Sequence, residues 1–259
     1  MTRLMLALFL CICATCLRAE PLRLAVTSSF ENSGLAARLL PAARDDIGVD
    51  VQLLVVGTGQ ALRLGAAGDV DAVLVHARAA EEAWLAQGHG TTRTEIMTND
   101  FVLIGPDTDP AGVRGSPDIG TALSRIAAAE APFVSRGDDS GTHLRERSLW
   151  PAAPEGPWYR ETGSGMGATL TVAAGMGAYT LTDRGSWLNF AAKTGLAILH
   201  EGDDALLNTY AYLPVNPGAH PHVNAVGAEA FGAWLTGPVA RDLIDGYRID
   251  GQPLFTSAR

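Results

Sequence analysis

Residues 133–150 read FVSRGDDSGTHLRERSLW, placing one arginine, two aspartates and a Ser-Gly-Thr step just ahead of a helical pattern. Arg136 offers a planar, permanently charged fork that matches the oxygens of an oxyanion. Ser140, Gly141 and Thr142 stand where the helix would begin, and a helix start presents unpaired N–H groups and the positive end of its dipole. Three other stretches repeat the theme: Thr27-Ser28-Ser29, Gly57-Thr58-Gly59-Gln60, and Gly163-Ser164-Gly165-Met166-Gly167. Glycine lets the backbone come close to a ligand, and each hydroxyl adds one donor. Serine or threonine before a helix is also an ordinary N-cap, so a single such turn has two readings. Four of them together with Arg136 point to a shared anion site.

The chemistry of catalysis is harder to assemble from this chain. GTGQAL has Leu62 where a dinucleotide fingerprint needs its third glycine, and it lacks the lysine of a phosphate-binding loop. TGSGMG has Thr162 at the first glycine of a nucleophile elbow. The histidines His76, His89, His143, His200, His220 and His222 are scattered; only His220 and His222 are close, and a metal would need a third ligand. Asp138 and Asp139 suit acid–base work or, more commonly, the start of a helix. Ser140 and His143 would share a helical face, but no orienting acid accompanies them. The expectation is a binding protein, not an enzyme, with no catalytic residues, no cofactor and no metal cation held by side chains.

The elements that must hold these turns follow a regular alternation. LRLAVT (22–27), VDVQLLVVG (49–57) and VDAVLVH (70–76) read as strands, each followed by a helical stretch. ENSGLAARLLPAARDD (31–46) reads as one helix. FVLIG (101–105) then runs into PDTDPAGVRGSPD, whose Pro, Gly and Asp content marks a boundary, and a second αβ series follows. NTYAYLPVN (208–216) reads as a strand returning to the first unit, closed by helices in 223–237 and 238–247. This predicts an α/β protein of two lobes, each a mainly parallel sheet flanked by helices. Lobe 1 takes residues 20–104 and 211–259, and lobe 2 takes residues 105–210. Open α/β sheets bind ligands at the carboxyl ends of their strands, where these turns fall.

The N-terminus, MTRLMLALFLCICATCLRAE, has a positive n-region at Arg3, an apolar run from Leu4 to Cys13, and the small residue Ala19. It reads as a signal peptide over residues 1–19, too short to span a bilayer, so the protein is expected to be exported. All three cysteines lie in that segment, so the remaining chain is expected to rely on an ordinary core rather than on disulfides. Without Arg3 and Arg18 the remainder carries 17 basic and 28 acidic residues, a net charge of −11. Such a surface repels nucleic acid and anionic lipid, so an anion would have to be held by local groups against the global field.

Taken together, LAVTSSFENSGL, VGTGQAL, DAVLVHARAAEEAWLAQG, TNDFVLIGP, SRGDDSGTH, ETGSGMGATLTVA, AYTLTDRGSW, VNPGAHPHVN and FGAWLTGP resemble, in order, the periplasmic tungstate-binding proteins of bacterial ABC importers. The resemblance implies the two-lobed type II solute-binding fold, a tungstate or molybdate oxyanion held between the lobes, and delivery to a permease in the inner membrane by a monomeric periplasmic protein. It implies donors from Thr27 and Ser29, from Thr58 and Gly59, from Arg136, Ser140, Gly141 and Thr142, and from Ser164, Gly165 and Met166. That family's first turn is Thr-Thr-Thr-Ser; Val26 and Ser28 stand at two of those threonines, and Ser28 keeps a hydroxyl where Val26 does not. Tyr179 is either a cleft residue or, more simply, a core tyrosine. RGDDSGT is also similar to the loop of periplasmic phosphate-binding proteins, in which an aspartate accepts the proton that phosphate retains. The orientation of Asp138 separates the two: toward the cleft it favours phosphate, and toward Arg136 or its own helix it favours tungstate.

Overall fold

The computed structural model describes residues 20–193 and 195–259; the expected signal peptide, residues 1–19, lies outside them. The first series runs β1 (Leu22–Thr27), α1 (Ser28–Asn32), α2 (Ala36–Ile47), β2 (Val51–Val56), α3 (Thr58–Ala67), β3 (Ala72–Val75) and α4 (Arg78–Ala86). The single helix expected over 31–46 is two. Ser33 Oγ donates to Phe30 O at 2.6 Å and accepts from Leu35 N at 3.2 Å, and this local alternative to the helical ladder turns the chain between α1 and α2.

The second series starts from β4 (Thr94–Pro106). It continues through α5 (Ile119–Ala128), β5 (Phe133–Ser135), α6 (Gly141–Leu149), β6 (Tyr159–Glu161), α7 (Met166–Met176), β7 (Thr180–Asp183), α8 (Arg184–Asn189) and β8 (Leu196–His200). The chain then returns through β9 (Leu207–Pro214) and closes with α9 (Ala225–Leu235), α10 (Pro238–Asp245), β10 (Arg248–Ile249), β11 (Gln252–Pro253) and β12 (Thr256–Ser257).

β1 lies between β2 and β3 and runs parallel to both. β9 joins β3 antiparallel, and residues 94–100 of β4 join β9, giving the order β12-β4-β9-β3-β1-β2. Past Asp100 the same strand changes partners: residues 101–106 pair antiparallel with β7 and β8. β5 and β6 are parallel, and Phe133 bridges to Tyr179 beside β7. The sheets are therefore mixed where mainly parallel ones were expected. β4 and β9 pass straight between the two halves without a crossover helix, so they meet their neighbours head to tail.

β1 and β3 are buried on both faces, which explains their near-continuous apolar sequences. Leu22, Leu24, Val26 and Leu74 pack with Phe30, Leu39 and Phe231, while Ala25, Val73 and Val75 pack on the opposite side with Leu62 and Trp84. A separate core, with Phe101, Leu123, Phe133, Trp150 and Trp158, supports the second series. Tyr179 belongs to that core; its hydroxyl donates to Asp109 Oδ1 at 2.9 Å, so it is not a cleft residue. The carboxyl ends of β1, β2 and β3 open on one side, facing the start of α6.

Candidate anion-binding cleft

One cavity of about 600 Å³ is lined from both halves of the molecule. Thr27, Ser28 and Ser29 come from the end of β1 and the start of α1; Thr58 and Gly59 begin α3; Arg136, Ser140, Gly141 and Thr142 lie between β5 and the first turn of α6. Nine of the residues singled out from sequence thus share one wall or the other. Ser164, Gly165 and Met166 are not among the lining residues. Ser164 N donates to Arg136 O at 3.3 Å, Gly165 caps α7, and Met166 is buried in the core. The same Ser/Gly pattern that suits an anion here braces the backbone of Arg136, because the Ser164 N–H is drawn to its carbonyl.

Several cleft hydroxyls do serve as caps. Thr27 Oγ1 accepts from Phe30 N at 3.4 Å, and Ser140 Oγ accepts from His143 N at 3.3 Å. Ser140 therefore meets the backbone of His143; His143 Nδ1 itself accepts from Asp139 N at 3.1 Å. Capping uses an oxygen lone pair and not the hydroxyl proton; the Thr27 hydroxyl also meets Ser29 Oγ at 2.9 Å, and the Ser140 hydroxyl bonds to Asp138. Gly57, ahead of α3, makes no side-chain cap, so the first N–H groups of that helix stay open to the cavity.

Arg136 is 8 % exposed. Its Nη2 donates to Asp138 Oδ2 at 2.5 Å, and Asp138 Oδ1 accepts from Ser140 N at 3.3 Å. Both oxygens of Asp138 are thus committed to the arginine and to its own helix. Burial pulls the Asp138 carboxyl up, but the bonds from Ser140 and Arg136 and the guanidinium charge outweigh it and hold the pKa below the usual carboxylate value. The loop reaches this shape through two left-handed residues, Gly137 at φ 62° and Asp139 at φ 54°.

Among the described residues, Thr58 Oγ1, His76 Nδ1 and Arg136 Nε are buried side-chain atoms without a hydrogen-bond partner, and all three residues line this cavity. Buried polar atoms are seldom left so, and three from separate turns around one cavity mark it as the candidate site. The cleft's charges nearly balance, with Arg63 and Arg136 against Asp138 and Asp139. Such a lining suits an anion through preorganised neutral donors and one guanidinium, not through excess positive charge.

His76 and Arg63 line the cleft without having been marked as cleft residues by the sequence, and Gln60 of the second turn lines it as well. His76 was marked only by its place, the first residue past a buried strand. Burial lowers its imidazole to about 4, against a weaker opposing influence of the nearby Asn208 side chain, and the Arg136 charge acts in the same direction as burial. Asp183 is buried at the start of α8, and burial raises its carboxyl despite the Arg136 charge nearby. His220 and His222 turn to the backbone: each Nε2 meets a carbonyl, Ala66 O and Gly68 O respectively, at 2.9 Å.

Two mixed α/β halves joined by extended strands, with a donor-rich cleft between them, define a solute-binding protein of the two-lobed type. A PBP superfamily domain matches residues 18–239. The tungstate-binding protein TupA of Peptoclostridium acidaminophilum is 45% identical over 240 residues, 90% of this chain and 84% of that one. A structure described as the tungstate binding protein TupA from Desulfovibrio alaskensis G20 superposes with a TM-score of 0.84 at 44% identity, covering 92% of this chain and 99% of that one. A crystal structure described as the tungstate ABC transporter from Geobacter sulfurreducens gives 0.81 at 45% identity, covering 88% and 99%. The chain belongs to the PBP superfamily and, within it, to the TupA family of tungstate-binding proteins.

Proposed function

We propose that this protein captures tungstate in the cleft between its lobes and delivers it to an ABC importer. The observation that carries the reading is the convergence of unpartnered buried atoms of Thr58, His76 and Arg136 on one cavity, in a chain whose relatives are named for tungstate. Tungstate and molybdate carry no proton at neutral pH, so a site made of donors suits them. The ligand-binding set is Thr27, Ser28, Ser29, Thr58, Gly59, Arg136, Ser140, Gly141 and Thr142; the residues of the fourth turn act behind Arg136. The engagement of Asp138 with Arg136 and Ser140 favours this reading over phosphate.

The lobes assigned as 20–104 with 211–259 and as 105–210 close over the anion by a hinge motion in the two crossing strands, near Gly105 and along Asn208 to Pro214. A permease in the inner membrane reads the closed form, and the protein works as an exported, periplasmic monomer. The test is titration calorimetry of the anion-stripped protein with tungstate, molybdate, sulfate and phosphate at neutral pH. Heat of binding with tungstate and none with phosphate supports the reading. Binding of phosphate with tungstate silent replaces it, and heat from none of the four removes it.

A further inference from the structure

His76 contributes one of the three unpartnered buried atoms on which the proposed function rests. It directly follows β3, and its Nε2 lies 3.2 Å from Ser29 Oγ. Ser29 Oγ lies in turn 3.1 Å from the Tyr210 hydroxyl and 2.9 Å from Thr27 Oγ1. The imidazole packs obliquely on the Tyr210 ring, with centroids 4.7 Å apart. On its other side it touches α6, where a Cβ at Gly141 would come within 2.6 Å of His76 Cε1 and 3.1 Å of Nδ1. The ring is therefore a contact between the two halves of the cleft, and Gly141 is the residue that makes room for it. Nδ1, beside the start of α6, is buried and unpartnered among the described residues.

The proton order along this chain of groups follows from what each atom can do. Ser29 Oγ meets three groups, and where it accepts from the Tyr210 and Thr27 hydroxyls its single proton goes to His76 Nε2. A neutral imidazole that accepts at Nε2 carries its own proton at Nδ1. The opposite tautomer would turn a bare Nδ1 lone pair toward the anion. Arg136 is the charged group acting on the ring, and with burial it keeps the imidazole neutral. On the anion-binding reading given above, we propose that His76 is a ligand-contacting residue, held by the Tyr210–Ser29 relay as the tautomer that donates Nδ1–H to the bound oxyanion.

The test compares three variants with the unchanged protein in tungstate titrations. An asparagine side chain can place its amide N–H near the Nδ1 position, a glutamine places it near Nε2, and phenylalanine keeps the ring without either nitrogen. The proposal predicts that His76→Asn stays within about threefold of the unchanged affinity while His76→Gln and His76→Phe each lose about tenfold or more. The reverse order, with His76→Phe unchanged and His76→Asn weakened, assigns the ring a packing role and overturns the proposal. A second readout needs no variant: nitrogen NMR of the 15N-labelled, tungstate-bound protein should show one histidine protonated at Nδ1 and bare at Nε2, with its Nδ1 signal moved by the ligand. A ring protonated at Nε2, or an Nδ1 signal indifferent to tungstate, contradicts it. If the unchanged protein does not bind tungstate at all, the proposed function fails before the question of His76 arises.

Discussion

Arg136 and Asp138 show how one side-chain pair sets what a site accepts. The carboxylate takes one donor of the guanidinium and leaves Nε without a partner among the described residues, so the arginine enters the cleft partly neutralised but still short of an acceptor. Replacing Arg136 by alanine should weaken tungstate binding by at least about tenfold, corresponding to ~1.5–3 kcal/mol for a charged hydrogen bond, as read by calorimetry. An unchanged affinity would place the anion elsewhere. At this scale the sequence was informative where a residue type has few uses. An arginine ahead of a Ser-Gly-Thr helix start, and hydroxyls at the ends of β1 and β2, were legible and line the cavity. Ser164 carries the same letter but its N–H braces Arg136 O, a distinction that depends on which carbonyl comes near and that local pattern does not encode. His76 was missed because a single histidine after a strand has no local signature; only the fold brings Ser29, Tyr210 and Gly141 around it.

Among the elements, the short loop between β5 and α6 decides the geometry. Gly137 takes φ 62°, and a Cβ there would lie 2.5 Å from Glu161 Cβ on the neighbouring strand β6. Gly137→Ala should therefore cost about 1–3 kcal/mol in stability, from left-handed strain together with the steric clash, and lower tungstate affinity by displacing Arg136. Denaturant unfolding and titration of the same variant check both effects. β6 was not legible, since a three-residue strand of Tyr, Arg and Glu has no apolar alternation to mark it. The long strands and amphipathic helices were, because burial on two faces or one imposes a period on the sequence. What periodicity does not reveal is direction: β4 gives the same apolar run whether its neighbours are parallel or antiparallel, and here they are antiparallel.

The whole molecule joins its halves through β4 and β9, which pair antiparallel between them. His76 lies at that junction and gives the ligand-free protein a pH dependence. Its pKa is about 4 in the folded state against an ordinary 6.5, so the unfolded chain binds the extra proton first. The stability linked to His76 is complete above about pH 6.5 and is lost as pH falls toward 4, by up to about 3 kcal/mol at 1.36 kcal/mol per unit. Denaturation curves measured across that window should show the loss in the unchanged protein, and His76→Asn should flatten it. The central claim concerns where the anion sits, and diffraction from tungstate-soaked crystals at the tungsten absorption edge tests it most directly. One strong anomalous peak is expected inside the cleft, within hydrogen-bonding reach of Thr58, Arg136 and the first turn of α6. A peak elsewhere on the molecule, with the cleft unfilled, would contradict it.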